Sequence, residues 1–268
     1  MHSLTSTGRR SSVLASLVVV GLAARTIAAQ DTAIILGAGR VGSWSTVGFV
    51  GNPSSGEVQV TIEPFSGPCP LVCVPPGAVL PAHSSVSLES LLASDEVATT
   101  FATFYLTASP ASGSPTGAPV SVPNIGARLV DQTHPSRSVN VPVVLLSQLE
   151  AANPTARHFG GVTHGGFGQS NLVLGNIVRA ASTNSDDLPV MIDLFDASGA
   201  LLGTASLTVP YGGIALIGDV AGYISAVPVA LGQLRVTRAS GNALMWGILY
   251  TTDPSGAITA TAGMPLSP

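Results

Sequence analysis

Three glycines near the start of the chain, Gly37, Gly39 and Gly42, have the spacing of a dinucleotide-binding turn. They follow "AIIL", a short run of residues typical of a buried strand. In a dinucleotide fold this turn leads into a helix whose N-terminus holds the pyrophosphate. The residues after Gly42 read "SWSTVGFVGNP", which favours a strand instead. We therefore predict a glycine-rich loop entering a strand, and no nucleotide cofactor.

Two histidines, His158 and His164, lie in the glycine-rich stretch "RHFGGVTHGG" and are the best candidates for a metal site. They are six residues apart and have no nearby cysteine or adjacent acid, so we expect loop residues rather than zinc ligands. The acidic run Asn184 to Asp187 offers oxygen atoms to a hard cation. It lacks the glycine and the spaced ligands of an EF-hand, which favours a solvated turn. No metal site is predicted.

Sequence motifs for nucleophilic catalysis are missing. The chain has no Gly-x-Ser-x-Gly elbow, no Ser-x-x-Lys and no His-Glu-x-x-His. A dispersed triad stays open, because a triad is defined by geometry; His158 or His164 beside an acid would belong to it. We predict a non-enzymatic protein and keep a secreted hydrolase as an alternative.

Aromatic residues, which carbohydrate-binding proteins often expose, make up only 5% of the chain. Trp44 and Trp246 lie in apolar, strand-like stretches, so we expect them in the core. Tyr211 in "VPYGG" and Tyr223 in "AGYIS" lie nearer to turns. These two tyrosines are the residues to test for the alternative of a glycan-binding module.

The first residues of the chain are typical of an export signal. Arg9 and Arg10 precede the apolar run Ser12 to Ala24, and "TIAAQ" offers a cleavage point after Ala28 or Ala29. We predict a signal peptide at residues 1–29 and a mature protein that is secreted, periplasmic or on the cell surface. The general secretory and twin-arginine routes both stay open.

Charged residues are only 9% of the chain, and all 10 basic residues are arginines. Three of these arginines precede Gln30 and all 14 acidic residues follow it, so the mature net charge is −7. Such a chain has no basic patch for nucleic acid or anionic membranes. No apolar stretch of the mature chain is long enough for a transmembrane helix.

The only two cysteines, Cys69 and Cys73, lie in "GPCPLVC". In an exported chain an even number of cysteines favours a disulfide. The bridge would close a short loop and contribute ~2 kcal/mol by the loop-entropy relation. Two free buried thiols are the alternative.

Apolar and polar residues alternate along much of the chain, as in "EVQVTIE" (residues 57–63) and "TASLTV" (204–209). This period of two predicts half-buried strands, and clusters such as "DASG" and "DPSG" predict turns between them. Only 88–98 and 147–152 favour helices, each of a few turns at most. With 30 glycines and 20 prolines, long helices are not expected.

The mature chain also repeats itself. Four segments of the first part resemble four of the second, in the same order: 58–67 with 189–199, 85–94 with 213–222, 104–110 with 234–241, and 127–142 with 247–265. We predict an all-β fold of two tandem antiparallel β-sandwich domains, immunoglobulin-like or jelly-roll-like, at residues 30–145 and 146–268.

Several short motifs of the chain resemble those of a tandem β-sandwich repeat of exported bacterial proteins of unassigned function. The matching residues are Trp44, Thr46, Asn52-Pro53, Gly232-x-Leu234-x-Val236-Thr237 and Tyr250-Thr251-x-x-Pro254-Ser255-Gly256. The first half of the mature chain differs from this repeat at the last motif, where Val130-Asp131 stands in place of Tyr-Thr. The resemblance implies an extracytoplasmic β-rich module and nothing about catalysis.

Together these features predict a non-enzymatic exported protein with a role in surface attachment, matrix or binding. Its partner is an unknown extracellular ligand or surface component, and neither nucleic acid nor a cofactor is expected. A glycan-binding module and a secreted hydrolase on a β scaffold are the alternatives.

Overall fold

The computed structural model describes residues 31–65, 77–92, 101–112, 123–152, 155–177, 186–241 and 243–265. The predicted signal peptide and the predicted disulfide between Cys69 and Cys73 lie outside the described residues. Both therefore stay predictions.

The protein is mostly β, as predicted, and its strands form four antiparallel sheets. The first half of the chain forms sheets A and B. Sheet A contains, in spatial order, β10 (Val143–Leu145), β1 (Ala33–Ala38), β7 (Ala102–Pro110), β4 (Val58–Phe65) and β5 (Gly77–Leu80). Sheet B contains β2 (Arg40–Val41), β3 (Trp44–Gly51), β8 (Asn124–Asp131) and β9 (Ser138–Asn140), and β6 (Ser85–Ser87) also pairs with β3.

The second half forms sheets C and D. Sheet C contains β19 (Met264–Pro265), β11 (Ala156–His164), β16 (Val229–Arg238), β13 (Leu188–Phe195) and β14 (Leu201–Val209). Sheet D contains β15 (Ile214–Ile217), β12 (Gln169–Ile177), β17 (Leu244–Thr252) and β18 (Ile258–Ala262). The described helices are short: α1 (Leu88–Leu92), α2 (Leu146–Ala152), α3 (Val220–Ile224) and a 3-10 turn at Gly165–Phe167.

The two halves have the same strand order. The series β10-β1-β7-β4-β5 in sheet A corresponds to β19-β11-β16-β13-β14 in sheet C. In the same way, β9-β8-β3-β6 in sheet B corresponds to β18-β17-β12-β15 in sheet D. The register agrees as well, since Ile62 lies opposite Leu106 as Ile192 lies opposite Val236. The four matching sequence segments lie on corresponding elements.

Strand β4 shows why these residues form a sheet with one apolar face. Val58, Val60 and Ile62 are buried, whereas Gln59 and Thr61 between them are partly exposed. The alternation predicted from the sequence is therefore confirmed for this strand. Its apolar face packs into a hydrophobic cluster shared with β3 and β8 of sheet B.

The two central strands of sheet D, β12 and β17, are largely buried on both faces. In β17, Trp246, Ile248 and Tyr250 belong to the cluster of the first half. Met245, just before them, and Leu249, between Ile248 and Tyr250, belong to the cluster of the second half. Burial on both faces explains why this strand reads as an unbroken apolar run, "LMWGILY", without alternation. We call the contact between sheet D and the first half the junction.

A glycine allows close approach at the junction. A Cβ atom at Gly175 on β12 would lie 2.4 Å from Cδ1 of Leu36 on β1. A side chain at this position would have to displace the end of the Leu36 side chain in the packed interior. The junction is therefore a fitted apolar contact.

Tight turns join several strands through aspartate side chains. Oδ1 of Asp196 accepts hydrogen bonds from the backbone N–H (2.8 Å) and hydroxyl (2.6 Å) of Ser198. Asp253 and Ser255 repeat this geometry, at 2.9 Å and 2.6 Å. The hydrogen bonds from these serine side chains hold the pKa values of both carboxyls below their usual range. The hydrogen bond from the Thr133 side chain likewise lowers the pKa of the Asp131 carboxyl.

Because of these turns, we expect the folded protein to lose stability at acidic pH. Because the folded pKa values of Asp131, Asp196 and Asp253 are lowered, their contribution is complete above an unfolded pKa of about 3.9. It is lost as the pH falls through the folded values. Thermal unfolding measured from neutral pH downward should show a melting temperature that falls below about pH 4. The double variant D196N/D253N should show a smaller fall, and an equal fall in both proteins would contradict this origin.

Candidate functional site

A cavity of about 350 Å³ lies at the junction and is lined by both halves. The first half contributes Val41, Trp44, Phe101, Leu129 and Val139. The wall from the second half includes Val173, Leu216 and Ile258. The volume is at the small end of the range for ligand pockets, and such pockets often lie between domains.

Three aromatic rings, those of Trp44, Phe101 and Tyr250, take part in the lining. Trp44 begins β3 directly after the glycine-rich turn, and Phe101 immediately precedes β7. The core position predicted for Trp44 is therefore only partly right, since this ring is half-buried and lines a cavity. Aromatic surfaces of this kind offer stacking contacts to a flat ligand.

Polar groups in the cavity wall are few. The lining includes Asn171, Thr252 and Tyr250, and none of the lining residues that the structure describes carries a charged side chain. Tyr250 is only 7% exposed, and burial raises the pKa of its hydroxyl, which is therefore neutral. That hydroxyl has no hydrogen-bond partner in the described part of the chain. As far as the described residues form it, the wall is thus uncharged and mainly apolar.

The second tryptophan, Trp246, is buried, as predicted; it lies in the junction, and the guanidinium of Arg157 is 4.9 Å from the centre of its ring. Arg157 is 2% exposed and donates hydrogen bonds to the carbonyls of Met245 (2.8 Å) and Gly263 (3.1 Å). Burial lowers the pKa of Arg157 to about 10, so the group stays cationic at neutral pH. Two carbonyls and an aromatic face stabilise this buried cation.

A second polar cluster lies next to the cavity. Oδ1 of Asn171 accepts a hydrogen bond from the backbone N–H of Asp219 at 2.9 Å. The two carboxylate oxygens of Asp219 lie 2.9 Å and 2.8 Å from Nδ1 of His164. Asp219 has a φ of 45°, a left-handed conformation that is costly for a residue with a Cβ. The bond of the Asp219 N–H to Asn171 and the left-handed backbone thus set the position of Asp219 beside His164.

The other histidine, His158, belongs to a row of polar residues across sheet C. It lies opposite Arg235, which lies opposite Asp193. Asp193 is buried and accepts hydrogen bonds from Arg235 Nη2 (2.7 Å) and from the Thr204 hydroxyl (2.8 Å). Burial and the nearby Arg235 lower the pKa of His158, so its ring is neutral at pH 7.

The structure separates the two histidines that the sequence placed together. Both lie on β11, six residues apart, which in an extended strand is roughly 20 Å. A single ion therefore cannot bind both. Throughout the described ranges, no group of three histidine, cysteine or acidic side chains could hold a metal.

The histidines do have acidic or cationic neighbours, but a triad needs a nucleophile as well. Among the described residues, no serine, threonine or cysteine forms a hydrogen bond with His164. The Thr204 hydroxyl is bound to Asp193, not to His158.

The glycine motif is a turn between strands, as predicted. Gly37, Gly39 and Gly42 all have positive φ values, of 66°, 105° and 57°. Strand β3 follows at Trp44, where a dinucleotide-binding turn would need a helix. The hydroxyl of Thr46 accepts the Gly39 N–H at 2.9 Å and ties the turn to β3.

The remaining candidates lie at turns. Asp186 and Asp187 are exposed, as predicted for a solvated acidic turn, and Asn184 lies outside the described residues. Oδ1 of Asp187 accepts the backbone N–H of Tyr211 at 2.9 Å. Tyr211 is half-buried, whereas Tyr223 on α3 is 60% exposed. Of the two tyrosines, Tyr223 is therefore the better placed for an external ligand.

No family model, curated protein or solved structure matches the chain. The resemblance to exported bacterial repeats therefore stays a prediction. Of the helices that the structure describes, none is long and apolar enough to span a bilayer.

Proposed function

We propose that the chain is a non-enzymatic, exported binding protein of two tandem β-sandwich modules, with sheets A and B in one module and C and D in the other. The signal-like residues 1–29 support export. The equal strand orders support two modules, 30–145 and 146–268. Its role is attachment to a surface or matrix, or capture of an extracellular ligand. The partner is an extracellular ligand or surface component, bound outside the cytoplasm.

The composition of the cavity wall is the observation that carries the binding role. Catalytic pockets contain acids, bases or nucleophiles with shifted pKa values. The described part of this wall contains no acid, arginine or histidine, and its tyrosine is held neutral. An uncharged wall with three aromatic rings favours an uncharged, ring-containing ligand, because a charged one would lose its hydration without compensation.

A cavity-filling variant tests this function. In Gly218→Leu the new side chain would enter open space at the cavity, since a Cβ there lies no closer than 3.9 Å to another atom. We expect p-cresol, an uncharged ring with one hydroxyl, to raise the melting temperature of the natural chain in a saturable way. Its charged analogue p-toluenesulfonate should have no effect, and G218L should lose the response to p-cresol.

Gly160→Leu is the matched control, because a Cβ at Gly160 meets nothing within 4 Å and the residue does not line the cavity. This variant should respond to p-cresol as the natural chain does. An equal loss in G160L, or equal responses to the charged and uncharged probes, would argue against a binding site in the cavity.

The exposed Tyr223 supports the alternative of a glycan-binding module. It is 60% exposed on α3 and follows Gly222, the residue that packs against His164 and Asp219. Saturable binding to a glycan array that disappears in Tyr223→Ala, with no change in the p-cresol response, would favour this alternative.

A further inference from the structure

Strand β14 is the edge of sheet C, and β13 is its only partner among the described strands. The carbonyl of Pro189 on β13 accepts the N–H of Ala239, on the side away from β14. In an antiparallel sheet the backbone groups of successive residues point alternately to the two neighbouring strands. Those of Val190 and Ile192 therefore bond to β14, and the carbonyl of Pro189 does not. Their partners are Leu207 and Ala205. The backbone groups of Thr204, Ser206 and Thr208 therefore point away from the sheet.

Proteins usually protect such an edge with charges, prolines or a short strand. Strand β14 has nine residues, "LLGTASLTV", without a charged residue or a proline. The corresponding edge of sheet A, β5, has four residues, and Pro81 follows it directly. Pro75 and Pro76 precede β5 in the sequence. Pro210 likewise follows β14, so the two equivalent edges differ in their length and in the two prolines before β5, and β14 is the longer, more open edge.

The open part of β14 is limited at one end. A Cβ at Gly203 would lie 3.0 Å from the carbonyl oxygen of Ile224, at the end of α3, so this helix packs on the face of the strand there and leaves less room beside it. The segment Thr204 to Thr208 is left without a neighbouring strand in the described part of the chain. Its threonine and serine side chains are exposed on the outer face of sheet C.

This segment is complementary to itself. If two copies run antiparallel about Ser206, that residue lies opposite its own copy and Thr204 lies opposite Thr208. Each outward-facing residue then meets an outward-facing residue, which allows up to about six backbone hydrogen bonds. Two-fold pairing of identical strands brings any central charge against itself, and β14 carries none. Pairs of threonine and serine across strands are favourable.

We propose that β14 is a docking strand for a second copy of this chain. The two copies pair β14 to β14 in antiparallel orientation, with the two-fold axis at Ser206. The two five-stranded C sheets then form one continuous sheet across the dimer. This surface is separate from the junction cavity, so dimerisation and ligand binding are independent properties.

Cysteine cross-linking tests the register. In Ser206→Cys the two thiols would face each other with Cα atoms about 5.5 Å apart, within the range for a disulfide. We expect S206C to form a covalent dimer under mild oxidation, visible on a non-reducing gel. T208C alone should stay monomeric on the gel, because it faces Thr204, and a mixture of T204C with T208C should cross-link. No dimer from S206C, or equal dimer from T208C alone, would overturn the proposal.

Sedimentation of the unmodified mature chain provides a second readout. We expect the mass to shift with concentration from that of the monomer to twice that value. Ser206→Pro and Ser206→Lys should stay monomeric and should melt like the natural chain at concentrations where that chain is monomeric, because the Ser206 N–H faces outward. Val79→Lys, on β5, is the control and should still dimerise. A natural chain that is monomeric at every concentration, or an S206P variant that dimerises normally, would contradict pairing through β14.

Discussion

Replacing Ile248 by alanine is expected to lower the free energy of unfolding by about 2–5 kcal/mol, as for other fully buried aliphatic residues. Ile248 lies at the centre of β17 and is completely buried against the cluster of the first half. The loss should appear as a lower denaturant midpoint with an unchanged slope in equilibrium unfolding.

Leu249→Ala is the matched control for this prediction. Leu249 is the next residue of β17, is equally buried, and faces the cluster of the second half instead. Both variants should lose a similar free energy, because sheet D is covered on both faces. If the Ile248 face were open to solvent, its replacement would change stability by less than about 0.5 kcal/mol, and this difference would contradict the junction.

Separating the two halves is expected to abolish folding of the second half. Expressed without the first half, it would expose the apolar face of sheet D, which includes Val173, Ile177, Trp246 and Ile248. At about 1.5–3 kcal/mol for each buried side chain, the loss is on the order of 10 kcal/mol. This is comparable with the whole stability of an ordinary domain. Circular dichroism during heating should show no cooperative transition for residues 153–268 alone.

Co-expression with residues 30–152 is the control, and it should restore a soluble complex with a cooperative transition. A second half that is monomeric on its own and melts at the temperature of the intact chain would refute the shared core. It would favour two independently stable modules connected by a linker.

The strands were the part of the fold that the sequence predicted best. In β4 the alternation of Val58, Val60 and Ile62 with polar residues depends only on which face is buried, and this is a local property. The short helix predicted at 147–152 is present as α2. The run "LMWGILY" in β17 could not be interpreted in the same way, because an unbroken apolar run does not reveal which sheets cover its two faces.

The candidate site was largely hidden from sequence reasoning. Trp44 and Tyr250 lie near opposite ends of the mature chain and meet only because sheet D packs on the first half. His164 was noted from the sequence, but its partner Asp219 is 55 residues away and depends on a left-handed backbone at the start of α3. No local pattern records such contacts, since they follow from the packing of whole sheets.

Nuclear magnetic resonance of the two tryptophan side chains tests most directly whether the junction cavity binds a ligand. The chain has only two tryptophans; Trp44 lines the cavity, whereas Trp246 lies in the junction core under Arg157. On addition of p-cresol, we expect a saturable shift of the Trp44 indole N–H signal and a much smaller change for Trp246. If the Trp44 signal does not move, or both signals drift linearly without saturation, the cavity is not a binding site.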